Sequence, residues 1–218
     1  ELLAGGFAVT AIDLSTDALD RLPHHARLLP VAADVTDSGE VAHAVAAGIE
    51  HHGAPYGLLN IAGNNRLGPL EDITDQDWHF LIDANLTSTF LMCREVMPHM
   101  CGAGGRVVNT ASIFGVRGQA NDAAYAAAKA GVVGLTRALA TEWAPHQVTV
   151  NCVAPVVVLT DRVRRMPKEH LDLQLERIPL GRFSTPRDVT RTYLFLLGDD
   201  GSYYTGQTLS PNGGDVMP

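Results

Sequence analysis

Residues 107–143 read VVNTASIFGVRGQANDAAYAAAKAGVVGLTRALATEW, and this stretch sets the architecture of the chain. It predicts an apolar strand, a loop that carries Ser112, and a long alanine-rich helix that carries Tyr125 and Lys129. Because residues four apart on a helix lie on one face, the phenol and the ammonium are expected to be neighbours. A nearby cation favours the phenolate and lowers its pKa from about 10 towards neutrality. The pair is therefore a candidate for proton transfer.

A Tyr-x-x-x-Lys pair is weak evidence by itself, because ordinary helix surfaces carry such pairs by chance. Ser112 adds to it, since this residue follows the strand and precedes Tyr125 by 13 positions. Its hydroxyl can hydrogen-bond the same substrate oxygen that exchanges a proton with the phenol. The three residues together indicate a site that takes a proton from an alcohol or gives one to a carbonyl.

Composition limits the function classes. The 218 residues suffice for one domain with a sizeable core, and their formal charge of −8 without a basic cluster argues against nucleic acid or an anionic membrane as partner. No apolar run approaches the ~20 residues of a membrane span and no signal peptide is visible, so a cytoplasmic location is expected. The three cysteines and nine histidines lack the spacing of metal ligands, so free thiols and no metal site are expected.

Strands and helices alternate along the chain. Strands are expected over residues 7–13, 26–33, 56–61, 106–110, 148–154 and 207–209. Residues 2–6 are expected to end a helix at Gly5-Gly6, and further helices are expected over 15–22, from Asp37 or Ser38 onwards, and over 74–100, 123–143, 161–177 and 186–197. This alternation predicts an α/β fold with a doubly wound parallel sheet and helices on both faces. Ligands bind such sheets at the carboxyl ends of the strands.

Asp13 closes the first expected strand and bears on the cofactor. An acid at this position of a dinucleotide-binding unit hydrogen-bonds the ribose hydroxyls of NAD and repels the extra phosphate of NADP. No basic residue follows directly, so NAD(H) is favoured; the alternative is that Asp13 only caps a turn. The glycine-rich phosphate turn belongs about 20 residues before such an acid. The first strand and this turn are therefore expected upstream of Glu1, and residues 1–218 are expected to be one N-terminally incomplete dinucleotide-binding and catalytic domain. The alternative is that the protein lacks this strand and turn.

Ser112, Tyr125 and Lys129 resemble, in type, order and spacing, the catalytic residues of the short-chain dehydrogenase/reductase family, and further matches cover nearly the whole chain. The resemblance implies a Rossmann-like single domain. It also implies that Asn85 is catalytic, because it matches an asparagine that holds a water between the lysine and solvent.

The resemblance also implies cofactor-binding positions. Residues 60–63 (NIAG) resemble an Asn-Asn-Ala-Gly segment, and residues 155–160 (PVVVLT) resemble a Pro-Gly-x-x-x-Thr segment beside the nicotinamide. Val156 replaces the glycine there, and a β-branched residue resists the backbone angles that glycine allows. The implied cofactor-binding residues are Asp13, Asp34, Val35, Asn60, Ala62, Gly63, Tyr125, Lys129, Pro155, Val158 and Thr160.

The function implied is an NAD(H)-dependent oxidoreductase that interconverts a small-molecule secondary alcohol and its ketone. Residues 178–182 (IPLGR) resemble the branch that holds 3-oxoacyl-carrier-protein reductases and sugar or polyol dehydrogenases, so a ketoreductase of the first kind is the alternative. Such biosynthetic reductases usually prefer NADPH. Substrate specificity is expected in residues 115–122 and 161–177. A non-catalytic homologue without dinucleotide binding is the alternative from another class, and family habit implies a homotetramer.

Overall fold

The structure is a computed structural model that describes residues 1–217, apart from the side chains of residues 162 and 170. Among the described residues there are six strands: β1 (Val9–Asp13), β2 (Leu28–Ala32), β3 (Gly57–Asn60), β4 (Gly105–Thr110), β5 (Val148–Val153) and β6 (Thr208–Leu209). The α-helices are α1 (Thr16–Asp20), α2 (Ser38–His52), α3 (Asp75–Ile82), α4 (Ser88–Val96), α5 (Ile113–Arg117), α6 (Ala123–Trp143), α7 (Asp161–Arg164), α8 (Lys168–Leu175) and α9 (Pro186–Leu197). No helix in the described part of the chain is long and apolar enough to cross a membrane.

Every described strand pair is parallel, and helices cover both faces of the larger sheet. β3, β4, β5 and β6 lie in this order. Val107 of β4 packs in a buried cluster with side chains of α2, α4 and α6, whereas its neighbour Val108 packs with α9 on the opposite face. Adjacent residues of a strand point to opposite faces, so a strand covered on both sides is apolar throughout. The predicted α/β, Rossmann-like fold is confirmed.

A cleft divides the strands into two sheets, where the sequence predicted one. β1 pairs with β2 only, in register from Val9 with Leu28 to Asp13 with Ala32. A cavity of about 660 Å³ separates β1 from β3, and residues of both strands line it along their full length together with side chains of α2 and α4. The lining of the cleft is mostly apolar, and the facing edges of β1 and β3 have no strand partner among the described residues.

Local sequence signals explain several element ends. Gly6 has φ +91°, and the N–H groups of Gly6 and Phe7 donate to Leu3 O and Leu2 O, which is the hydrogen-bond pattern of a glycine-terminated helix. The glycine-terminated turn predicted at Gly5-Gly6 is present, but residues 2–6 form turns and not the helix that was predicted to end there. Ser15 caps α1 by accepting from Ala18 N–H, and Asp37 caps α2 by accepting from two backbone N–H groups.

The long helix predicted over 74–100 is not one regular α-helix. α3 leads into a π-helical turn over Asp83–Thr87, α4 follows, and the last residues, Met97–Met100, are 3₁₀-helical. The helical stretch predicted over 161–177 is likewise divided into α7 and α8. α5, directly after Ser112, was predicted as loop.

Candidate active site

Ser112 lies two residues beyond the end of β4 and begins α5. Its Oγ accepts a hydrogen bond from Phe114 N–H at 3.2 Å, so Ser112 is the N-cap of this short helix. The residue is 7% exposed. Because Oγ accepts from the backbone, its own proton stays available to donate to a ligand oxygen.

A close approach between α5 and α6 fixes where Ser112 lies. A Cβ at Gly115 would be 2.6 Å from Lys129 C and 2.7 Å from Ala130 N, which no real Cβ tolerates. Glycine is therefore required at this position for α5 to rest on the backbone of α6. The contact brings Ser112 to the part of α6 that carries the candidate proton-transfer pair.

Tyr125 and Lys129 are neighbours on α6, as predicted. Lys129 Nζ lies 5.6 Å from the centroid of the Tyr125 ring and donates to Thr110 O at 2.8 Å. Tyr125 is half-buried and Lys129 is 3% exposed. Burial lowers the pKa of Lys129 to about 8, because desolvation disfavours the ammonium.

Asn85 is fully buried in the π-helical turn, beside Lys129. Its Nδ2 donates to Asn64 O and Leu81 O, both at 2.8 Å, and its Oδ1 accepts from Asn64 N–H at 3.2 Å. A Cβ at Gly63 would lie 2.5 Å from Asn85 Oδ1 and 3.4 Å from Lys129 Nζ. The loop after β3 therefore lies directly over both side chains, and π turns of this kind are frequent at functional sites.

The expected cofactor residues follow β1 and β2 at the same edge as the catalytic candidates. Asp13 is exposed, and its Oδ1 accepts from Ser15 N–H at 2.8 Å, so the carboxylate does cap a turn while staying accessible. Asp34 is half-buried and accepts from Thr36 N–H and Oγ1 at 2.8 and 2.7 Å. Val35 packs against the main core cluster and lines the cleft.

Asn60 is an expected cofactor residue whose side chain points into the protein. Its Nδ2 donates to Asn109 Oδ1 at 2.8 Å and contacts Cys93 Sγ at 3.4 Å, and the residue is 8% exposed. These contacts link β3 to β4 and α4. Ala62 and Gly63, the next expected residues, are exposed at the edge.

The segment after β5 accommodates Val156 without strain. Val156 does not have a positive φ, and its side chain is buried in a cluster with Ile113 and Ile178. Pro155 O accepts from Ile113 N–H at 3.3 Å, which ties this segment to α5. Val158 pairs with Ser184, and Thr160 is exposed at the start of α7.

Sequence reasoning missed Asp122, which directly precedes α6. The residue is 1% exposed; Asn65 Nδ2 donates to its Oδ2 at 3.3 Å, and its buried Oδ1 has no hydrogen-bond partner in the described part of the chain. Burial raises the pKa of this carboxyl to about 6. An acid before a helix is a familiar N-cap signal, but Asp122 makes no side-chain cap hydrogen bond.

Comparisons with known proteins find reductases and a dehydrogenase subunit that are similar to this chain. A family model described as enoyl-(acyl carrier protein) reductase matches residues 1–215. The 3-oxoacyl-[acyl-carrier-protein] reductase of Thermotoga maritima is 36% identical over 218 residues, which cover 97% of this chain and 89% of that protein. Subunit BbsD of the (2S)-[(R)-hydroxy(phenyl)methyl]succinyl-CoA dehydrogenase of Thauera aromatica is 40% identical over 189 residues, which cover 86% of this chain and 76% of that one.

A solved structure shares the fold over almost the whole chain. The crystal structure of 3-ketoacyl-(acyl-carrier-protein) reductase from Brucella melitensis complexed with NADH superposes with a TM-score of 0.91 at 28% identity, covering 99% of this chain and 90% of that chain. The chain belongs to the short-chain dehydrogenase/reductase family. It is an oxidoreductase that acts on a CH–OH group or the corresponding ketone.

Proposed function

We propose that the chain interconverts a secondary alcohol and its ketone with NAD(H) as the hydride carrier, and that Ser112, Tyr125 and Lys129 carry the chemistry. The main support is the packing of α5 on α6, which gathers the hydroxyl, the phenol and the buried ammonium at one edge of the sheet. Proton transfer to or from a substrate oxygen beside a hydride carrier uses all three of these groups, and few other reactions do.

Each residue has a defined role in the proposal. In oxidation Tyr125 takes the hydroxyl proton of the alcohol, and in reduction it returns a proton to the ketone oxygen. The Lys129 ammonium favours the phenolate, and its pKa of about 8 lets it lose and regain a proton near neutrality. Ser112 Oγ–H donates to the substrate oxygen, and Asn85, together with the loop after β3, supports Lys129.

The residues present fit a nicotinamide dinucleotide. Gly63 lies so close to Asn85 and Lys129 that a side chain would not fit there, so the loop presents its backbone at the edge of the sheet. Asp13, Asp34 and Val35 would hold the adenosine half at the ends of β1 and β2. The nicotinamide half would lie against Ala62, Gly63, Tyr125, Lys129 and the backbone of Asn60, and against Pro155, Val158 and Thr160. When bound, the cofactor supplies or accepts the hydride.

A Tyr125→Phe variant tests the proposed function. It removes only the phenolic hydroxyl, so kcat is expected to fall by about 10²- to 10⁴-fold, the usual contribution of a general acid or base. The measurement is the rate of NADH consumption with a panel of ketones and of NADH formation with secondary alcohols. Tyr203→Phe is the matched control, because Tyr203 is 99% exposed. A folded Tyr125→Phe protein with the rate of the unsubstituted protein would refute the assignment.

A 3-oxoacyl-carrier-protein reductase-type activity is the second candidate. Its support is that the relatives from Thermotoga maritima and Chlamydia pneumoniae carry this name, at 36% and 40% identity. A comparison of NADH with NADPH on a 3-oxoacyl thioester and on a plain ketone separates the two candidates. Preference for NADH and the plain ketone supports the dehydrogenase, and preference for NADPH and the thioester supports the reductase.

The assembly we propose is a homotetramer that uses the outer faces of α4 and α6. Ala127, Ala130 and Gly134 are exposed on α6, and small residues let helices approach closely. Phe90 of α4 is also 42% exposed. Light scattering that gives the mass of a monomer would refute this assembly.

A further inference from the structure

Asp215 lies in the last turn of the described chain and contacts two arginines from distant parts of the sequence. Its side chain is 2% exposed; Oδ2 is 3.4 Å from Arg117 Nη2 and Oδ1 is 3.6 Å from Arg177 Nε. A buried carboxylate is costly unless opposite charges accompany it. The two guanidinium groups therefore account for the burial of this acid, and we call Asp215, Arg117 and Arg177 the Asp215 cluster.

The turn that carries Asp215 is fixed against residues 178–180. Asn212 Nδ2 donates to Val216 O, and Gly214 N–H donates to Asn212 Oδ1, both at 2.8 Å. Gly213 has φ +64°, its O accepts from Leu180 N–H at 3.1 Å, and a Cβ there would lie 2.7 Å from Ile178 Cγ2. The hydrogen bonds and close packing of this turn therefore position the Asp215 carboxylate independently of the two arginines.

Arg117 connects the cluster to the element that begins at Ser112. Arg117 is the last residue of α5; its Nη1 donates to Gly118 O at 3.1 Å and to Gln119 Oε1 at 3.0 Å, and its guanidinium stacks 5.0 Å from the Phe114 ring centroid. The side chain is 16% exposed. Without Asp215 this guanidinium would be a largely buried charge with no carboxylate partner within the described residues.

Arg177 connects the cluster to the other expected specificity segment, residues 161–177. It follows α8 and is half-exposed, and the next residue, Ile178, packs with Ile113 of α5 and Val156. α5 is thus linked to the end of the 161–177 segment by the apolar contact of Ile113 with the adjoining Ile178 and by the two ion pairs to Asp215. Asp215 supplies the carboxylate of both ion pairs.

We propose that Asp215 is a positioning residue that sets which ketones are accepted, because it holds α5 and the 161–177 segment together through Arg117 and Arg177. This inference rests on the proposed function, since Ser112 begins α5 and the substrate oxygen is expected to meet it. The adenosine-binding end at β1 and β2 contains no part of the Asp215 cluster. Loss of the cluster is therefore expected to affect the ketone more than the dinucleotide, whose adenosine half would be held at β1 and β2.

Steady-state kinetics of Asp215→Asn with NADH tests the proposal on two ketones of different size, ethyl acetoacetate and ethyl benzoylacetate. The KM for ketone is expected to rise about tenfold or more, and the preference between the two ketones is expected to change, while the KM for NADH stays within about twofold. Asp215→Glu keeps the charge and should restore part of the loss. Unchanged ketone KM and unchanged preference would overturn the proposal, as would equal changes in the KM values of ketone and NADH.

Asp200→Asn is the matched control for the kinetics, because Asp200 is exposed and lies outside α5 and the 161–177 segment. It should leave both KM values as they are. Asp172→Asn, which breaks the exposed Lys168–Asp172 pair without touching Asp215, is the control for hydrogen exchange. Arg177→Gln is the second variant, for the case that Asp215→Asn does not fold, since it removes one half-exposed partner and leaves Arg117 paired. A ketone KM unchanged in Arg177→Gln would then overturn the proposal.

Hydrogen exchange separates this proposal from the proposed function, because it requires no turnover. Asp215→Asn, or Arg177→Gln in its place, is expected to speed amide exchange in both 113–117 and 161–177, whereas Asp172→Asn should affect the second range alone. Exchange unchanged in both ranges would overturn the proposal whatever the activity. A chain that is inactive on every ketone, with the expected exchange pattern, would count against the proposed function instead.

Discussion

Burial shifts the pKa values of two ionisable groups in the α6 region towards neutrality. The pKa of Lys129 falls to about 8 and that of Asp122 rises to about 6, in both cases because desolvation disfavours the charged form. Lys129 keeps a partner for its ammonium in Thr110 O, whereas one oxygen of Asp122 has none in the described part of the chain. Burial of the ionised Asp122 therefore lowers the free energy of unfolding more than burial of the Lys129 ammonium does.

Asp122→Asn is expected to stabilise the protein at neutral pH and to have little effect in acid. The folded-state pKa of about 6 lies above the ordinary 3.8, so the folded state binds the proton more tightly and loses stability as pH rises from about 4 to above 6. The amide cannot ionise, so it avoids a penalty of about 2–3 kcal/mol above this range. Urea unfolding at about pH 4 and about pH 8 measures the difference.

The control for this prediction is Asp20→Asn, because Asp20 is exposed. Its stability relative to the unsubstituted protein should not vary with pH in the same way. A gain for Asp122→Asn that is equal at both pH values would contradict the titration of Asp122 as its cause.

The relative positions of single residues could be predicted from the sequence where their spacing along one element decides whether they are neighbours. Tyr125 and Lys129 are neighbours because they are four residues apart on a helix. The inward direction of Asn60 could not be predicted, since it depends on Asn109 and Cys93, which belong to β4 and α4. Asp122 was missed for a similar reason, because the loop after β3 is what buries it.

At the scale of elements, the ends of helices were predictable and their interruptions were not. Ser15 and Asp37 cap their helices as the sequence indicates, because a cap depends on residues within one turn. The π turn around Asn85 depends on Asn64, which is far away in sequence and supplies both a donor and an acceptor. α5 was missed because its five residues are held mainly by contact with α6.

Gly115→Ala is expected to damage activity more than stability. The added methyl would lie 2.6 Å from the α6 backbone, so α5 must shift, and overpacking of this kind costs about 1–3 kcal/mol. The shift carries Ser112 away from the phenol, so kcat should fall although the protein remains folded. Thermal unfolding and initial rates with a ketone measure the two effects.

Gly68→Ala is the control for this substitution, because Gly68 has no atom within 4 Å of an added Cβ and no positive φ. It should change neither the melting temperature nor kcat appreciably. If Gly115→Ala were as harmless as Gly68→Ala, the close packing of α5 on α6 would not be what positions Ser112.

For the whole molecule, a cleft between β1 and β3 divides the described strands into two sheets. β4 and β5 are almost fully buried and pair on both sides, whereas β1 is half-buried and pairs with β2 alone within the described residues. The parallel direction of β3 to β6 could be predicted, because strands alternate with helices along the sequence. The order of the strands could not be predicted, because it depends on which strands pair in the folded chain.

Native-state hydrogen exchange is expected to follow this division. Amides of β4 and β5 should exchange slowest, at rates near those of global unfolding, and those of β1 and β2 should exchange much faster through local opening. Mass spectrometry of peptic fragments resolves the two regions. Equal protection of β1 and β4 would mean that the two sheets unfold as one unit.

The π turn has a further consequence for how this chain tolerates change. It fits one extra residue into a helix that would otherwise run from α3 straight into α4, and one residue turns an α-helix by about 100°. A single deletion within residues 83–87 would therefore restore a regular helix and rotate Asn85 away from the loop that covers it. The position of Asn85 thus depends on the number of residues between α3 and α4 as well as on their side chains. A one-residue deletion here would displace Asn85, which no single substitution in this turn would do.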